Sequence, residues 1–389
     1  METTPTLLKR PDGRDIALDE LQLYRGCLLR QSEIVEIQQY SAAGCIPLSL
    51  MPCAIPREIP AVPVSYRRRV YGPYPAGSAE DLHTFRYAIH RGQTKLCIIE
   101  IEAIVRALQK VQNLRYILYA GAAPGEHLAF IAELFPALEI HGYDPAEFRV
   151  HTRYADFPSI RARIHTNREL FTDDIARTWR DRAHETIFIS DIRSGDHTQD
   201  EFEHEVWTNM QMQQQWWRIM NPAVTLFKFR LPYTDGIVNS ECTYPDGEIL
   251  LQPFGPNTST EGRLLVWASA CDRVYNSINY ENFYFWLNNI VREWASFECD
   301  FDLRLVKGLC HCFDCSRCIQ IFRKCSHTDV EAAGLIHRMF DATHQPLLYT
   351  AHGTQPSVPI AEKRMQLAEQ FSTQYVTIKR KKILSRSRR

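Results

Sequence analysis

The sequence predicts an α/β protein in which a mostly parallel seven-stranded sheet carries helices on both faces. Three observations lead there. Short apolar runs alternate with helical stretches from about residue 84 to 325, the pattern of a sheet covered on both sides. The first strand-to-helix crossing is a glycine turn, Gly121-Ala-Ala-Pro-Gly125. The next strand ends on an acidic residue, Asp144.

Residues 1–80 read as an irregular Pro-rich extension, punctuated by Pro47, Pro52, Pro56, Pro60, Pro63, Pro73 and Pro75. Such a segment suits wrapping over a core better than forming long helices. A domain from 81 to 330 follows. Its first helix, Lys95 to Val111, sets Ile101, Ile104, Val105, Leu108 and Val111 on one apolar face. Leu114–Ala120 is the first strand, and a short helix carrying Leu128, Ile131, Leu134 and Phe135 succeeds it. Further strands are expected at Leu138–Tyr143, Thr186–Ser190, Val224–Phe229, Ile249–Phe254 and Leu264–Ala268, with helices around Glu203–Met220 and Asn282–Trp294. Phe313–Phe322 alternates with period 2 and supplies the seventh strand. Residues 331–378 are expected to form a helical extension, and 379–389 a basic tail without fixed structure.

With 389 residues and 45% hydrophobic composition the chain can bury one large core or two modest ones. Lys and Arg number 45 against 46 Asp and Glu, so a nucleic-acid partner would have to meet locally concentrated positive charge. No stretch approaches the roughly 20 apolar residues of a membrane helix, and Met1–Arg14 lacks an apolar signal core. Twelve cysteines then suggest reduced thiols, with Cys97 and Cys271 packing as small hydrophobes inside apolar runs. The expectation is a soluble protein of a reducing compartment, with no membrane partner.

The glycine turn is the first candidate site. Gly121 and Gly125 let the backbone approach a ligand, and the following helix start offers unpaired N–H groups. In open α/β sheets ligands bind in this crevice, and an acid at the next strand end suits a ribose diol. Glycines in a turn often serve only the fold; Asp144 tips the reading to a nucleoside cofactor. A Walker lysine and the full dinucleotide glycine triplet are both missing, which disfavours ATP and NAD.

Three further strand ends carry charge: Asp191, Lys228 between apolar neighbours, and Glu261 before Arg263. A lysine in such a run loses hydration and its pKa falls. Lys228 alone reads equally well as a lysine on a solvated edge. Asp, Lys and Glu on one rim are harder to explain by solubility.

In ordered blocks over about residues 70 to 325, the chain resembles the poxvirus-type cap-specific mRNA 2′-O-methyltransferase family, which includes kinetoplastid cap-modifying enzymes. Its viral members are known also as poly(A) polymerase regulatory subunits. His90-Arg-Gly-Gln-Thr-Lys95 matches the first lysine block, Gly121-Ala-Ala-Pro-Gly125-Glu-His127 the S-adenosylmethionine loop, and Ile189-Ser-Asp-Ile-Arg-Ser194 the aspartate block. Lys228-Phe-Arg-Leu-Pro-Tyr233-Thr-Asp235 matches the second lysine block. Leu251-Gln-Pro-Phe254 with Glu261-Gly-Arg-Leu-Leu265 matches the glutamate block, and Asn279-Tyr-Glu281 with Leu287-Asn-Asn-Ile-Val-Arg292 a later one.

The resemblance implies a Rossmann-like S-adenosylmethionine-dependent methyltransferase fold and a catalytic set of Lys95, Asp191, Lys228 and Glu261. Lys228 would be the general base toward a ribose 2′-hydroxyl, neutralised by desolvation and by the neighbouring Lys95 ammonium. The cofactor would contact Gln93, Tyr119, Gly121, Ala123, Pro124, Gly125, His127, Asp144 and Asp191. A 7-methylguanine cap would stack on Tyr233 and on Tyr71 or Tyr74, with Tyr74 preferred. Asp235 and Glu281 would read its edge.

Partners would be capped mRNA and a poly(A) polymerase or other capping proteins. The alternatives are a non-catalytic RNA-binding subunit and a methyltransferase of uncapped RNA. Lys379-Arg-Lys-Lys382 suits nuclear import, with cytoplasm the alternative for a viral protein. The acidic block departs from the viral pattern: Asp144-Pro-Ala lacks a basic residue two positions on, for which Arg149 is a substitute. Cys310, Cys312, Cys315, Cys318 and Cys325, with His311 and His327, read as a zinc knuckle or as part of the seventh strand. The strand reading, with no metal, is favoured.

Overall fold

The structure is a computed structural model that describes residues 46–48, 51–58, 92–150, 157–194, 199–232, 241–255, 259–288, 292, 297–306, 309 and 311–343. Its frame is five parallel strands: β3 (Tyr116–Ala120), β4 (Glu139–Tyr143), β5 (Ile164–Asn167), β6 (Thr186–Ser190) and β7 (Val224–Phe229). Three antiparallel strands extend the β7 edge: β10 (Gly262–Trp267), β9 (Glu248–Leu250) and β2 (Ala54–Ile55). The order across the eight-stranded sheet is β2-β9-β10-β7-β6-β3-β4-β5. After β3 the chain runs outward through β4 and β5, then returns to lay β6 on the other side of β3. A switch point of this kind opens a crevice at the strands' carboxyl ends.

Residue parity divides the core. Ile117, Tyr119, Ile187, Ile189, Val224, Leu226 and Leu265 face one apolar cluster. It also holds residues of α1 (Gly92–Lys110), α2 (Leu128–Leu134), α7 (Phe313–Arg323) and α8 (Asp329–Ala342). Leu118, Ala120, Phe188, Phe227, Phe229, Leu264 and Val266 face the other cluster. There α4 (Asp173–Trp179), α5 (Gln199–Met220) and α6 (Ser277–Trp286) pack. A one-turn helix α3 (Pro158–Arg161) precedes β5. Two further pairs flank the sheet: antiparallel β8 (Glu241–Pro245) with β11 (Asp272–Asn276), and parallel β1 (Ile46–Pro47) with β12 (Phe297–Glu298).

The sheet has eight strands rather than seven. Two were missed because they are short edges: β2 has two residues, and β5 carries Ile164 with polar His165, Thr166 and Asn167. The expected strand at 313–322 is instead helix α7. Its alternation arises because nearly every side is buried, Phe313, Cys315, Ser316, Arg317, Cys318, Ile319, Ile321 and Phe322 included, and a short apolar run does not separate the two states. Strand β9 stops at Leu250, and Phe254 takes a left-handed backbone (φ 58°) that ends any extended run. Helix α6 starts at Ser277, where the Asn276 side chain accepts from Asn279 N–H, five residues ahead of the expected start.

Helix α1 lies between the sheet and helices α7 and α8, so it buries Cys97, Ile98, Ile99 and Ala103 as well as the expected Ile101 and Ile104. Leu108 falls outside this band and is exposed. Cys271 is exposed too, in the turn between β10 and β11, while Cys97, Cys312, Cys315 and Cys318 are buried. No described helix is long and apolar enough to cross a membrane. Of the proline-rich extension, the described Ala54–Ile55 pairs with β9; Tyr71, Tyr74, Tyr233, Asp235, Cys310 and the basic tail lie outside the described residues.

Candidate active site

Alternation along the strands aims the polar residues. On β7, Lys228 follows Val224 and Leu226 on the face toward α1. Asp191 follows Ile187 and Ile189 just past β6, and Arg263 shares its face with Leu265 on β10. Lys228 and Arg263 are direct register partners. Because β10 is antiparallel, Glu261 just before it stands on the same rim as the ends of β6 and β7. Lys95, in the first turn of α1, comes down onto that rim.

The result is one cluster of alternating charge. Lys95 Nζ donates to Glu261 Oε1 at 2.7 Å, and Lys228 Nζ lies 2.8 Å from Asp191 Oδ1 and 3.8 Å from Glu261 Oε2. Arg263 Nη2 donates to Asp191 Oδ1 at 2.8 Å, and Arg193 Nη2 to Glu261 Oε2 at 3.1 Å. Gln252 fixes the frame, accepting from Arg263 Nε at 3.2 Å and donating to the Glu261 carbonyl at 3.0 Å.

The electrostatics follow from burial inside this set. Burial pushes the Lys228 amine below the ordinary lysine value, opposed by Asp191 and Glu261 and assisted by Arg263 and Arg193. Arg263 and Arg193 are thus cations that assist burial at Lys228, while Lys95 donates to Glu261. Burial works to raise Asp191 and Glu261, yet the surrounding cations outweigh it. Asp191 is held low chiefly by Arg263 and Lys228, and Glu261 well below the carboxylate range chiefly by Lys95 and Lys228.

Beside the cluster, the turn after β3 runs bare backbone past β6. Gly121 has φ +79°, and a Cβ there would lie 2.9 Å from both Asp191 C and Ile192 N. Asp144 closes the loop, accepting from Ala123 N–H at 3.1 Å and Ala146 N–H at 2.8 Å. Arg149 N–H donates to the Pro124 carbonyl at 2.7 Å, which ties that segment to the turn. Below the loop, buried Glu100 accepts from Tyr119 Oη at 2.6 Å and pairs with His127 Nε2 at 2.8 Å; His127 Nδ1 meets Gln93 Oε1 at 2.9 Å. Tyr119 and His127 are both buried, with their polar atoms committed to this chain.

Glu281 is buried on α6. Its neighbour Tyr280 anchors that helix to the rim, donating to the Thr260 carbonyl at 2.6 Å and the Phe229 carbonyl at 3.2 Å. Sequence reasoning assigned no role to Arg263, Arg193 or Glu100. Arg263 carried a signal, being a charge inside the apolar run of β10; Glu100 was hidden in the apolar face of α1.

This crevice and its sheet define a Rossmann-like α/β protein of the methyltransferase fold class. A family model described as poly A polymerase regulatory subunit matches residues 76–313, and the chain belongs to that family. It is 26% identical over 225 residues to the cap-specific mRNA (nucleoside-2′-O-)-methyltransferase of Myxoma virus (strain Lausanne), covering 52% of this chain and 62% of the viral one. It is 30% identical over 218 residues to the protein of that name from Fowlpox virus (strain NVSL), covering 52% and 68%. The chain thus spans about three fifths of the Myxoma relative's length.

Proposed function

We propose that this chain is an S-adenosylmethionine-dependent RNA methyltransferase acting on the ribose 2′-hydroxyl of a cap-proximal nucleotide in m7G-capped mRNA. One observation carries the reading: Lys95, Asp191, Lys228 and Glu261 converge beside a glycine turn whose Gly121 leaves no room for a side chain. The turn fits the cofactor by its chemistry. Bare backbone at Gly121–Gly125 admits a close approach, and Asp144 at the β4 end offers carboxylate oxygens to a ribose diol. Gln93 would add a contact, positioned by His127 and Glu100, and Tyr119 supports that chain from below.

When bound, S-adenosylmethionine supplies a methyl group activated as a sulfonium. The protein must place the hydroxyl in line and remove its proton. Lys228, with its pKa lowered by burial, would take the hydroxyl proton on Nζ. Asp191 orients the amine and steadies the resulting ammonium. Lys95, held by Glu261, stands where a second cation can fix the hydroxyl oxygen. Glu281 on α6, with Tyr233, Asp235 and Tyr74, would supply the cap pocket implied by the resemblance.

The test is methyl transfer to short RNAs ending in 7-methylguanosine or in unmethylated guanosine, with the methyl position mapped. A cation–π gain of about 2 kcal/mol for the methylated base implies a preference on the order of thirtyfold. Equal use of both RNAs would sink the cap assignment and leave a ribose methyltransferase of uncapped RNA. The alternative reading is a regulatory subunit of a poly(A) polymerase, the role named in the family's description. Stimulation of such a polymerase by Lys228→Ala, in the absence of methyl transfer, would establish that role independently.

A further inference from the structure

On the sheet face opposite the catalytic cluster, toward the outer edge, three polar side chains meet where apolar contacts would be expected. Glu139 and His141 are two apart on β4, so they point to the same side. His141 is the register partner of His165 on β5. Among the described residues, Glu139, His141 and His165 form a group of metal-capable side chains whose ligand atoms all lie within 4.8 Å of one another.

The contacts within this group are poor hydrogen bonds. Glu139 Oε2 stands 3.7 Å from His141 Nε2 and 3.8 Å from His165 Nε2, beyond the reach of a normal one. His141 Nε2 is buried and has no hydrogen-bond partner, with Glu139 Oε2 at 3.7 Å. Two ligand atoms on a tetrahedral zinc at about 2.0–2.2 Å are roughly 3.4 Å apart. Reaching that geometry requires the more exposed His165 ring to turn out of its stack on His141, bringing its in-plane nitrogen toward Glu139 and His141.

The surroundings fix His141. Its ring packs edge-on against Trp179 at 4.8 Å and stacks on His165 with centroids 4.5 Å apart. Glu139 and His165 are more open, which leaves room for water as a fourth ligand.

We propose that Glu139, His141 and His165 form a second-site binding position for a divalent transition-metal ion of the zinc class, tying edge strand β5 to β4. Two imidazoles and one carboxylate are the donor set such an ion takes. Arg182, whose guanidinium lies over Trp179 at 4.5 Å, is a nearby positive charge that the Glu139 carboxylate must offset.

The experiment is Co²⁺ and Zn²⁺ titration of the full untagged chain, followed by visible absorption and by calorimetry. Twelve cysteines could also bind metal, so the spectrum must separate the two ligand types. The expected result is one saturable Co²⁺ site with visible d–d bands and no thiolate charge-transfer band. Binding should weaken at least about tenfold in His141→Ala, His165→Ala and Glu139→Gln, since loss of even an outer-sphere partner costs that much. Glu139 and His165 are exposed enough that their variants should fold, as thermal unfolding without metal would verify. Absence of saturable binding, a thiolate-dominated spectrum, or binding unchanged in all three variants would each overturn the proposal.

Discussion

Lys228 shares its side of β7 with Val224 and Leu226, so the apolar row that buries the strand also strips water from the amine. A base of this kind acts only when neutral. At low pH Lys228 is protonated and idle; as pH rises through its lowered pKa the rate climbs to a plateau. Single-turnover rates against pH should therefore show a basic limb centred below the ordinary lysine value of about 10.4. Arg263→Gln should move that limb upward. It removes a cation that disfavours the ammonium and leaves Asp191 with more of its charge for Lys228. A limb that stays in place would remove Arg263 from this role. Lys228→Ala should lose about 10²–10⁴-fold in kcat with cofactor affinity nearly unchanged; retention of a tenth of the activity would exclude the base assignment.

The residues of this cluster were legible in sequence to different degrees. Asp191, Lys228 and Glu261 sit at strand ends in an α/β pattern, where a charge inside an apolar run is conspicuous. Lys95 came only from the resemblance, because one lysine at a helix start carries no signal of its own. The pairing of Arg263 with Asp191 depends on β10 lying antiparallel to β7, a register that no local pattern encodes.

At the scale of elements, α7 shows where local pattern fails and what replaces it. Its alternating residues read as a strand, yet tertiary burial on nearly all sides makes it a helix. Arg317, fully buried on α7, donates to fully buried Glu102 on α1, and Arg106 Nη2 donates to the same carboxylate at 2.8 Å. This buried pair locks α7 against the helix that carries Lys95. Arg317→Met should cost about 3–5 kcal/mol in urea unfolding, because it leaves Glu102 short of its main partner. Adding Glu102→Gln should recover part of that loss. The Glu102 carboxyl is held below the ordinary glutamate value despite burial, chiefly by Arg317. Its contribution is therefore complete above the unfolded pKa of about 4.3 and fades as pH falls through the lower folded value. Wild type should lose the advantage over the double variant in that acid range; an advantage constant with pH would mean that the ion pair contributes little.

For the molecule as a whole, the two halves of the parallel sheet diverge between β3 and β6, and Gly121 stands at the parting. Its N–H donates to the Tyr143 carbonyl at 2.9 Å, while Asp191 N–H donates to the Ala120 carbonyl at 2.9 Å. These bonds draw the turn, the end of β4 and Asp191 into one unit. A Cβ at Gly121 would press on backbone atoms of Asp191 and Ile192 that cannot rotate away. It would also force an L-residue into the left-handed region, at about 1–2 kcal/mol. Gly125 is a useful contrast. Its φ is +67°, but the atom that a Cβ would approach most closely is Leu128 Cδ1, the tip of a flexible side chain. Both alanine variants should lose stability from the backbone term. Only Gly121→Ala should also spread the ends of β3 and β6, displacing Asp191 from Lys228 and narrowing the cofactor crevice. Calorimetric titration with S-adenosylmethionine should then show a much larger loss of affinity for Gly121→Ala than for Gly125→Ala, with comparable falls in Tm. Equal losses of affinity would mean that the turn supports the cofactor only by its general shape, and that the contact with Asp191 does not couple the crevice to the charged cluster around Lys228.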